Sequence, residues 1–461
     1  MQRICLQEIV AWENRRKRKP LVLMGARQVG KTWLMEEFAK REYPNDHVIV
    51  NFMRKRSLCE QLRTGDIDPA SLIRLLQTAT GKLIVPGKTL LILDEIQECP
   101  SALTALKFFQ EDLPELAVMA AGSLLGLSYG ERNDGSQPNN GKEPKSSFPV
   151  GKIDRLNIYP LTFAEFLLAS GKESLVEALK AGDWQTVSLM APEYEALLKN
   201  YFVVGGMPEA VSDWLETSSL AEARRTQRRM LLDYDDDFKK HAPVELLPKI
   251  RLVWNSISPQ LAKENKKFLF SALKTGARAR EYEVAIEWLR DAGMVYKHHR
   301  VCPPRLPIAH YKDFSAFKLF MHDVGLLGAM SMLKPEIVLE GNALFSNFKG
   351  ALTEQFVLQE LIANDVVSGY WTPDSGIAEV DFVLQGDRGV FPLEVKAATN
   401  TKAKSLGVYL REYGPDLALK ASLKGHSETG VVQSVPLYAL GLLVRSLIAS
   451  TPTAYSGVRL L

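Results

Sequence analysis

Eight residues near the start of the chain, Gly25-Ala26-Arg27-Gln28-Val29-Gly30-Lys31-Thr32, have the types and spacing of a phosphate-binding loop, G-x-x-x-x-G-K-T. The two glycines let backbone N–H groups close around phosphate oxygens. A helix opening at the lysine turns its positive end on the same charge. Lys31 is expected to neutralise the β- and γ-phosphates, and Thr32 to offer its hydroxyl to Mg2+. Trp33 completes the stretch expected to touch nucleotide. A second motif, Leu90-Leu91-Ile92-Leu93-Asp94-Glu95, is an apolar strand that ends in two carboxylates, where ligands sit in parallel α/β sheets. Asp94 is expected in the Mg2+ shell, and Glu95 is expected to polarise the attacking water. The chain has no N-K-x-D guanine-reading motif, so ATP is the expected nucleotide. Ser123 falls where a γ-phosphate sensor would lie, and equally where an ordinary turn serine would.

A third constellation lies in the tail. Phe391-Pro392-Leu393-Glu394-Val395-Lys396 alternates as a strand, so Glu394 and Lys396 share the face opposite Leu393 and Val395. Asp381 sits between apolar neighbours on the preceding strand, and Glu354 on a helix that opens the domain. Two or three carboxylates with a lysine can hold Mg2+ and stabilise a phosphodiester transition state. The set resembles the PD-(D/E)XK nuclease pattern, with Asp381 and Glu394 as metal ligands and Lys396 as the charge stabiliser. Later basic residues, Lys402, Lys404, Arg411 and Lys420, suit the same surface. The competing reading is a retained fold whose chemistry has lapsed into binding.

The elements needed to position these groups are visible as patterns. Leu21 to Met24, His47 to Phe52, Thr89 to Leu93 and Leu116 to Ala121 read as strands, and Thr32 to Arg41 and Asp66 to Thr80 as helices. This alternation is the habit of a parallel α/β sheet. Tyr129 to Ser147, rich in Gly, Asn, Ser and Pro, reads as a polar loop. Phe163 to about Lys240 is helical in pattern, broken by Gly205-Gly206-Met207-Pro208. From Leu261 to about Leu327, helices precede short strands, Val295 to His299 and Phe317 to Met321, an order that suits a winged-helix module. Its candidate recognition helix, Arg280 to Asp291, has Ala285, Ile286 and Leu289 as its core face. The same helix carries Glu281, Glu283, Glu287 and Asp291 against Arg280 and Arg290, a poor balance for a phosphate backbone. Lys263, Lys266, Lys267, Lys274 and Arg278 lie upstream. The tail opens with a helix from Phe348 and returns to strands at Ala378 to Leu384 and Val390 to Val395.

At about 150 residues per domain, 461 residues point to three. The expected division is 1–165 for the ATPase domain, 166–335 for the helical and winged-helix region, and 336–461 for the C-terminal domain. The expected class is α/β: a P-loop parallel sheet, then helices, then a second α/β domain. Apolar residues at 46% and charged residues at 24% are ordinary for a globular protein, which excludes collagen-like and broadly disordered chains. A net charge of +3 implies no partner by itself. Cys5, Cys59, Cys99 and Cys302 form no C-x-x-C pair, so a disulfide framework or zinc ribbon is not expected. No leader is read at the N-terminus, and Leu437 to Val444 is short of the roughly 20 residues a membrane span needs. A cytoplasmic protein with no membrane partner is the expectation.

The chain resembles the prokaryotic AAA-type ATPases that carry an uncharacterised C-terminal domain. The resemblance rests on GARQVGKT, LLILDEIQECP, AAGSLLG, IYPLTFAEFL, YFVVGGMPEAV, FKLFMHDVGLL and VDFVLQ with FPLEVKA, in family order over nearly the whole chain. It implies an ATPase module, a helical and winged-helix middle and a restriction-endonuclease-like tail. Relatives commonly have Gly-Arg where this chain has Gly151-Lys152, and lysine lacks the planar fork of an arginine finger. Arg155 is the alternative cation for activating a neighbouring copy. Two functional readings follow. One is an ATPase whose cycle controls a nucleic-acid-processing tail, with ATP, Mg2+, DNA and a homo-oligomer as its companions. The other is an ATP-controlled regulatory switch whose tail does not cut.

Overall fold

The computed structural model describes residues 1–64, 68–122, 149, 151–263, 266–340, 346–376, 378–387, 389–396 and 404–448. Two compact units emerge, one of Arg3–Tyr159 with Asp291–Gly293, the other of Met1–Gln2, Pro160–Arg290 and Met294–Leu461.

The first unit is built on five strands: β1 (Leu21–Met24), β2 (His47–Asn51), β3 (Leu90–Asp94), β4 (Ala117–Ala121) and β5 (Asp154–Asn157). All pairings are parallel, in the order β2-β3-β4-β1-β5. Every residue of β3 and β4 is buried, which is why both read as unbroken apolar runs and not as alternation. The helix Lys31–Glu42 buries Leu34, Met35, Phe38 and Ala39 and ends just before Pro44. A second helix spans Pro69–Thr80, and Asp66, where the sequence reading started it, lies outside the described residues. The Asp68 carboxylate accepts from the Ser71 N–H at 3.0 Å, and proline at the first helical position fixes the start. The helices Arg56–Thr64 and Pro100–Asp112 and the strand β5 were not anticipated. Ser123 and the expected loop from Tyr129 to Ser147 lie outside the described residues.

The second unit begins with helices, including Phe163–Ala169, Ala191–Val204, Pro208–Thr217 and Leu220–His241. The expected break at Gly205-Gly206-Met207 is the place where two sequence motifs meet. Gly205 has φ of +68°, and a Cβ on Gly206 would lie 2.1 Å from the Leu161 carbonyl oxygen. The buried Asp323 carboxylate accepts from the Gly206 N–H at 2.7 Å and the Leu326 N–H at 2.9 Å. Gln227 donates to the Val203 and Val204 carbonyls, which have no helical partner at this break. Both motifs therefore work as a packed polar joint that satisfies interrupted backbone.

An eight-stranded mixed sheet completes this unit: β6 (Val295–Val301), β7 (Lys312–Met321), β8 (Ser368–Trp371), β9 (Val380–Gln385), β10 (Val390–Val395), β11 (Ala418–Ser422), β12 (Ser427–Thr429) and β13 (Val432–Pro436). Their order is β12-β13-β11-β10-β9-β8-β6-β7. β8, β9 and β10 run antiparallel in sequence, whereas β11 is parallel to β10 across the helix Lys404–Tyr413. The helix Ala279–Asp291 buries Ala285, Ile286 and Leu289 as expected, with Tyr282 and Trp288 added. β6 pairs with β7 on one side and with β8 on the other, at Arg300 and Tyr370, so the hairpin is part of the large sheet. The apolar run near the end is the helix Leu437–Ile448, and among the described residues no helix is long and apolar enough to cross a membrane.

Gly206→Ala should lower stability by about 1–3 kcal/mol, because backbone and not a flexible side chain opposes the new methyl group. Gly407→Ala, inside the helix Lys404–Tyr413 and, among the described residues, with only Arg411 near at 3.8 Å, should raise stability by roughly 0.5–1 kcal/mol. Chemical denaturation of both variants checks the pair, and equal effects would contradict the steric account.

Candidate nucleotide site and a second carboxylate cluster

The phosphate loop follows β1 and feeds the helix at Lys31. Gly25 has φ of +133°, and a Cβ there would meet the Ile158 carbonyl oxygen at 2.2 Å, so no other residue fits. Gly30 and Gln28 also have positive φ, +90° and +66°, and curl the loop back toward the helix. Ala26 and Val29 are buried beneath it. Arg3 supports the loop from below: its guanidinium donates to the Val29 carbonyl at 3.1 Å and the Tyr159 carbonyl at 2.7 Å.

Lys31 is only 8% exposed, and its ammonium donates to the Gly25 and Ala26 carbonyls at 3.0 and 2.7 Å. Burial pulls its pKa down to about 8, against the attraction of Glu95 and Asp94; Arg27 adds a further, repulsive push. Thr32 donates its hydroxyl to one Asp94 oxygen at 3.0 Å, and Asn51 donates to the other at 2.8 Å. Burial raises the Asp94 carboxyl above its usual range despite these two bonds. Glu95 stands in the left-handed region, φ of +50°, and its Oε2 accepts from the Gln97 side chain at 2.5 Å. Trp33 lies on the exposed side of the helix. The predicted set from Gly25 to Trp33 is thus contiguous, and Asp94 and Glu95 join it. Lys152 pairs with Glu111 at 2.8 Å, whereas Arg155 lies on the exposed side of β5.

Asn51, Arg3 and Gln97 were not picked out from the sequence. For Asn51 the signal was present: a polar residue ends an otherwise apolar strand and is in register with Asp94. Arg3 gives no such signal, because its partners are backbone carbonyls 26 and 156 residues away.

The tail residues also come together. β9 and β10 are adjacent, and Asp381 accepts from the Val395 N–H at 2.8 Å. Lys396 pairs with Glu394 at 2.6 Å. Burial, then the neighbouring Glu354 and Glu394 charges, hold the Asp381 carboxyl far above its usual range. Glu394 is raised as well, by burial, with Lys396 opposing. Its Oε2 is buried and accepts no hydrogen bond among the described residues. Glu354 is placed differently from a free ligand. One oxygen is bound by Lys266 and the other by Lys318 at 3.2 Å, and these two ammonium groups overcome burial and hold its carboxyl down. Lys318, which is fully buried on β7, also reaches Glu379 at 2.7 Å. A lysine inside the apolar run Phe317-Lys318-Leu319-Phe320 was the available signal for it. Lys420 faces Glu394 in the parallel register of β10 and β11. Lys402 lies outside the described residues. Among the described residues no three His, Cys, Asp or Glu side chains are grouped to hold a metal ion on their own.

A parallel sheet with a glycine-rich loop after β1 and paired acids after β3 defines a P-loop nucleoside-triphosphatase domain of the AAA type. Residues 17–167 match the family model described as "AAA domain". This part of the chain is an AAA-type, ATP-binding ATPase domain. Two further matches are to domains of unknown function, DUF8612 over residues 195–337 and DUF4143 over residues 349–437. No curated protein matches the chain. Among solved structures, the Walker-type ATPase PABY2304 of Pyrococcus abyssi is similar at 13% identity and a TM-score of 0.41, over 71% of this chain and 94% of that one. The Aeropyrum pernix Orc1 protein, solved in complex with DNA, is similar at 14% identity and a TM-score of 0.27, over 71% and 90%. Cdc6p from Pyrobaculum aerophilum is similar at 12% identity and 0.27, over 73% and 93%.

The pKa of Lys31 has a consequence for ATP binding. Only the ammonium form neutralises phosphate, so affinity should be full below pH 8 and fall as pH rises through about 8. Lys31→Arg should flatten that fall, since guanidinium keeps its charge. Lys31→Ala should cost about 1.5–3 kcal/mol, roughly ten- to hundredfold in affinity. Calorimetric titration between pH 7 and 9 checks all three, and a wild-type-like Lys31→Ala would remove the assignment.

Proposed function

We propose that the chain is a Mg2+-dependent ATP hydrolase whose AAA module controls a C-terminal domain acting on DNA. The observation that carries the hydrolase is the contact between Thr32 and Asp94. A hydroxyl and a carboxylate meet beside the phosphate loop, the hard-oxygen pair that suits Mg2+ bridging to substrate phosphates. Bound there, Mg2+ would supply charge neutralisation for the β- and γ-oxygens. The chain's own groups do the rest: Lys31 draws charge from the phosphates, the loop N–H groups hold them, and Glu95 orients and polarises the water. Ser123 enters the same reading as the γ-phosphate sensor. The domain division 1–165, 166–335 and 336–461 is retained with it, as is a cytoplasmic location. A further copy of the chain is proposed as partner, with Lys152 or Arg155 as the cation it receives.

For the tail we favour a restriction-endonuclease-like domain with Asp381 and Glu394 as the ligands of a divalent cation and Lys396 as the charge stabiliser. Two buried carboxylates with raised pKa values and one orphaned oxygen are short of positive charge, and a cation would correct that. Two carboxylates suffice where substrate phosphate and water fill the remaining positions. The winged-helix reading of 261–327 is kept as a folded-in module, with Lys263 and Lys274, not the Glu354-bound Lys266, as its candidate contacts to nucleic acid. The switch reading draws on one observation: Glu354 is already bound by two lysines, as in a site kept for shape and not for turnover.

Glu95→Gln should leave ATP affinity intact and suppress turnover, as read by phosphate release. Glu394→Ala should abolish Mn2+ binding and metal-dependent nicking of DNA while ATP turnover survives. Mn2+ binding without cleavage by the wild type would make the switch reading the better one.

A further inference from the structure

Lys318 stands on β7 with no exposed surface, inside the apolar run Phe317-Lys318-Leu319-Phe320. Its ammonium donates to Glu354 Oε2 at 3.2 Å and to Glu379 Oε1 at 2.7 Å, and lies 5.0 Å from the centre of the Tyr370 ring. Burial works against the charge, but Glu354, Glu379 and Asp381 together hold the ammonium pKa above its ordinary value. His298, the partner of Lys318 in the β6–β7 register, is driven down to about 3, by burial first and by the Lys318 charge second, so it stays neutral. Lys318 is therefore a fixed positive charge. Lys266 binds the other oxygen of Glu354, so both oxygens of that carboxylate are met by ammonium groups. Asp381 and Glu394 are provided for differently. Asp381 accepts from the Val395 N–H, and Glu394, 4% exposed, keeps a buried Oε2 with no hydrogen-bond partner among the described residues.

We infer that the Lys318 ammonium is a built-in cation standing where a second metal ion would stand, so that the tail site holds one divalent cation on Asp381 and Glu394 and keeps Glu354 out of its coordination sphere. This rests on the reading of Asp381 and Glu394 as metal ligands. Two-ion sites place their ions about 3.5–4 Å apart and draw on carboxylates from both sides. Here a second ion would need oxygens of Glu354 and Glu379, and Lys318 already binds one from each. Its charge, fixed in a dry interior, also repels any further cation brought to the same oxygens. Among the described residues no three His, Cys, Asp or Glu side chains are grouped to hold a metal ion, as follows when the helix acid is paired to lysine. Lys318 is a positioning residue, and no covalent step is assigned to it.

Calorimetric titration of Mn2+ into the nucleotide-free full chain tests this, with Glu394→Ala titrated alongside to subtract ions held elsewhere. The wild type should bind one Mn2+ more than Glu394→Ala. Lys318→Gln releases Glu379 and one oxygen of Glu354, and should bind one Mn2+ more than the wild type. Its electron paramagnetic resonance should show two coupled ions where the wild type shows a single one. Glu354→Gln should keep the wild-type count and lose less than about tenfold in Mn2+ affinity, because Glu354 supplies no ligand; it decides the matter if Lys318→Gln does not fold. Two ions in the wild-type site, an unchanged count in folded Lys318→Gln, or a larger loss of affinity in Glu354→Gln overturns the role of Lys318 and leaves Asp381 and Glu394 as ligands. Equal Mn2+ binding by the wild type and Glu394→Ala removes the metal reading itself, and the role of Lys318 with it.

Discussion

The bond from Thr32 to Asp94 is the constraint around which the first unit is arranged. It joins the first turn of the phosphate helix to the end of β3, although β4 lies between β1 and β3 in the sheet. Neighbouring strands are roughly 4.8 Å apart, so the ends of β1 and β3 are separated by about 10 Å. A glycine-rich loop that first rises from β1 and then turns back is what spans that gap. Gly25 permits the rise, because a side chain there would strike Ile158, and Gly30 permits the return at φ of +90°. Burial of every residue on β3 fixes the height at which Asp94 emerges. A shift of one residue in that strand would turn Asp94 into the core and present Leu93 to the loop.

The two acidic sites solve the problem of like charges in opposite ways. At the phosphate loop, Asp94 and Glu95 are held by neutral donors: a hydroxyl and two amides. Such donors fix geometry, and Lys31 nearby is weakened by burial while its ammonium donates to the Gly25 and Ala26 carbonyls of the loop. In the tail, Glu354, Glu379 and Glu394 are each met by lysine, and only Asp381 relies on a backbone N–H. Buried ion pairs of this kind repay their desolvation only when both partners are present. Lys318, buried on β7, thus ties the hairpin to a helix and to the lead-in to β9.

Local chemistry was legible in the sequence where it depends on neighbours along the chain. The strands Leu21–Met24 and Val390–Val395 and the helix beginning at Lys31 read correctly because apolar period and glycine placement are local quantities. The contiguity of Gly25 to Trp33 was legible for the same reason. The convergence of Asp381 with Glu394 followed from two strands separated by a short turn. Illegible were the groups whose partners are remote: Arg3 under the loop, Lys266 and Lys318 on Glu354, and Asp323 under Gly206. β11 and β13 escaped notice because edge-side strands of mixed polarity, such as Ala-Leu-Lys-Ala-Ser, carry neither a clean period of two nor an apolar run. Nothing in residues 295–321 states that β8, some fifty residues later, will pair with β6.

The motifs that carry the family resemblance divide by what they hold together. GARQVGKT and LLILDEIQECP bring polar residues together where β1 and β3 end, as Thr32 and Asp94 show. YFVVGGMPEAV and FKLFMHDVGLL position backbone: Asp323 takes the Gly206 and Leu326 N–H groups, and Gln227 takes the carbonyls left open where the helix Ala191–Val204 ends. Burial raises the Asp323 carboxyl to about 6, with the Gly206 N–H the largest opposing influence. An acid and two glycines in such a motif invite a catalytic reading. Here the glycines exclude side chains from a crowded crossing, the acid replaces missing helical hydrogen bonds, and the pattern is an answer to buried backbone and not to substrate.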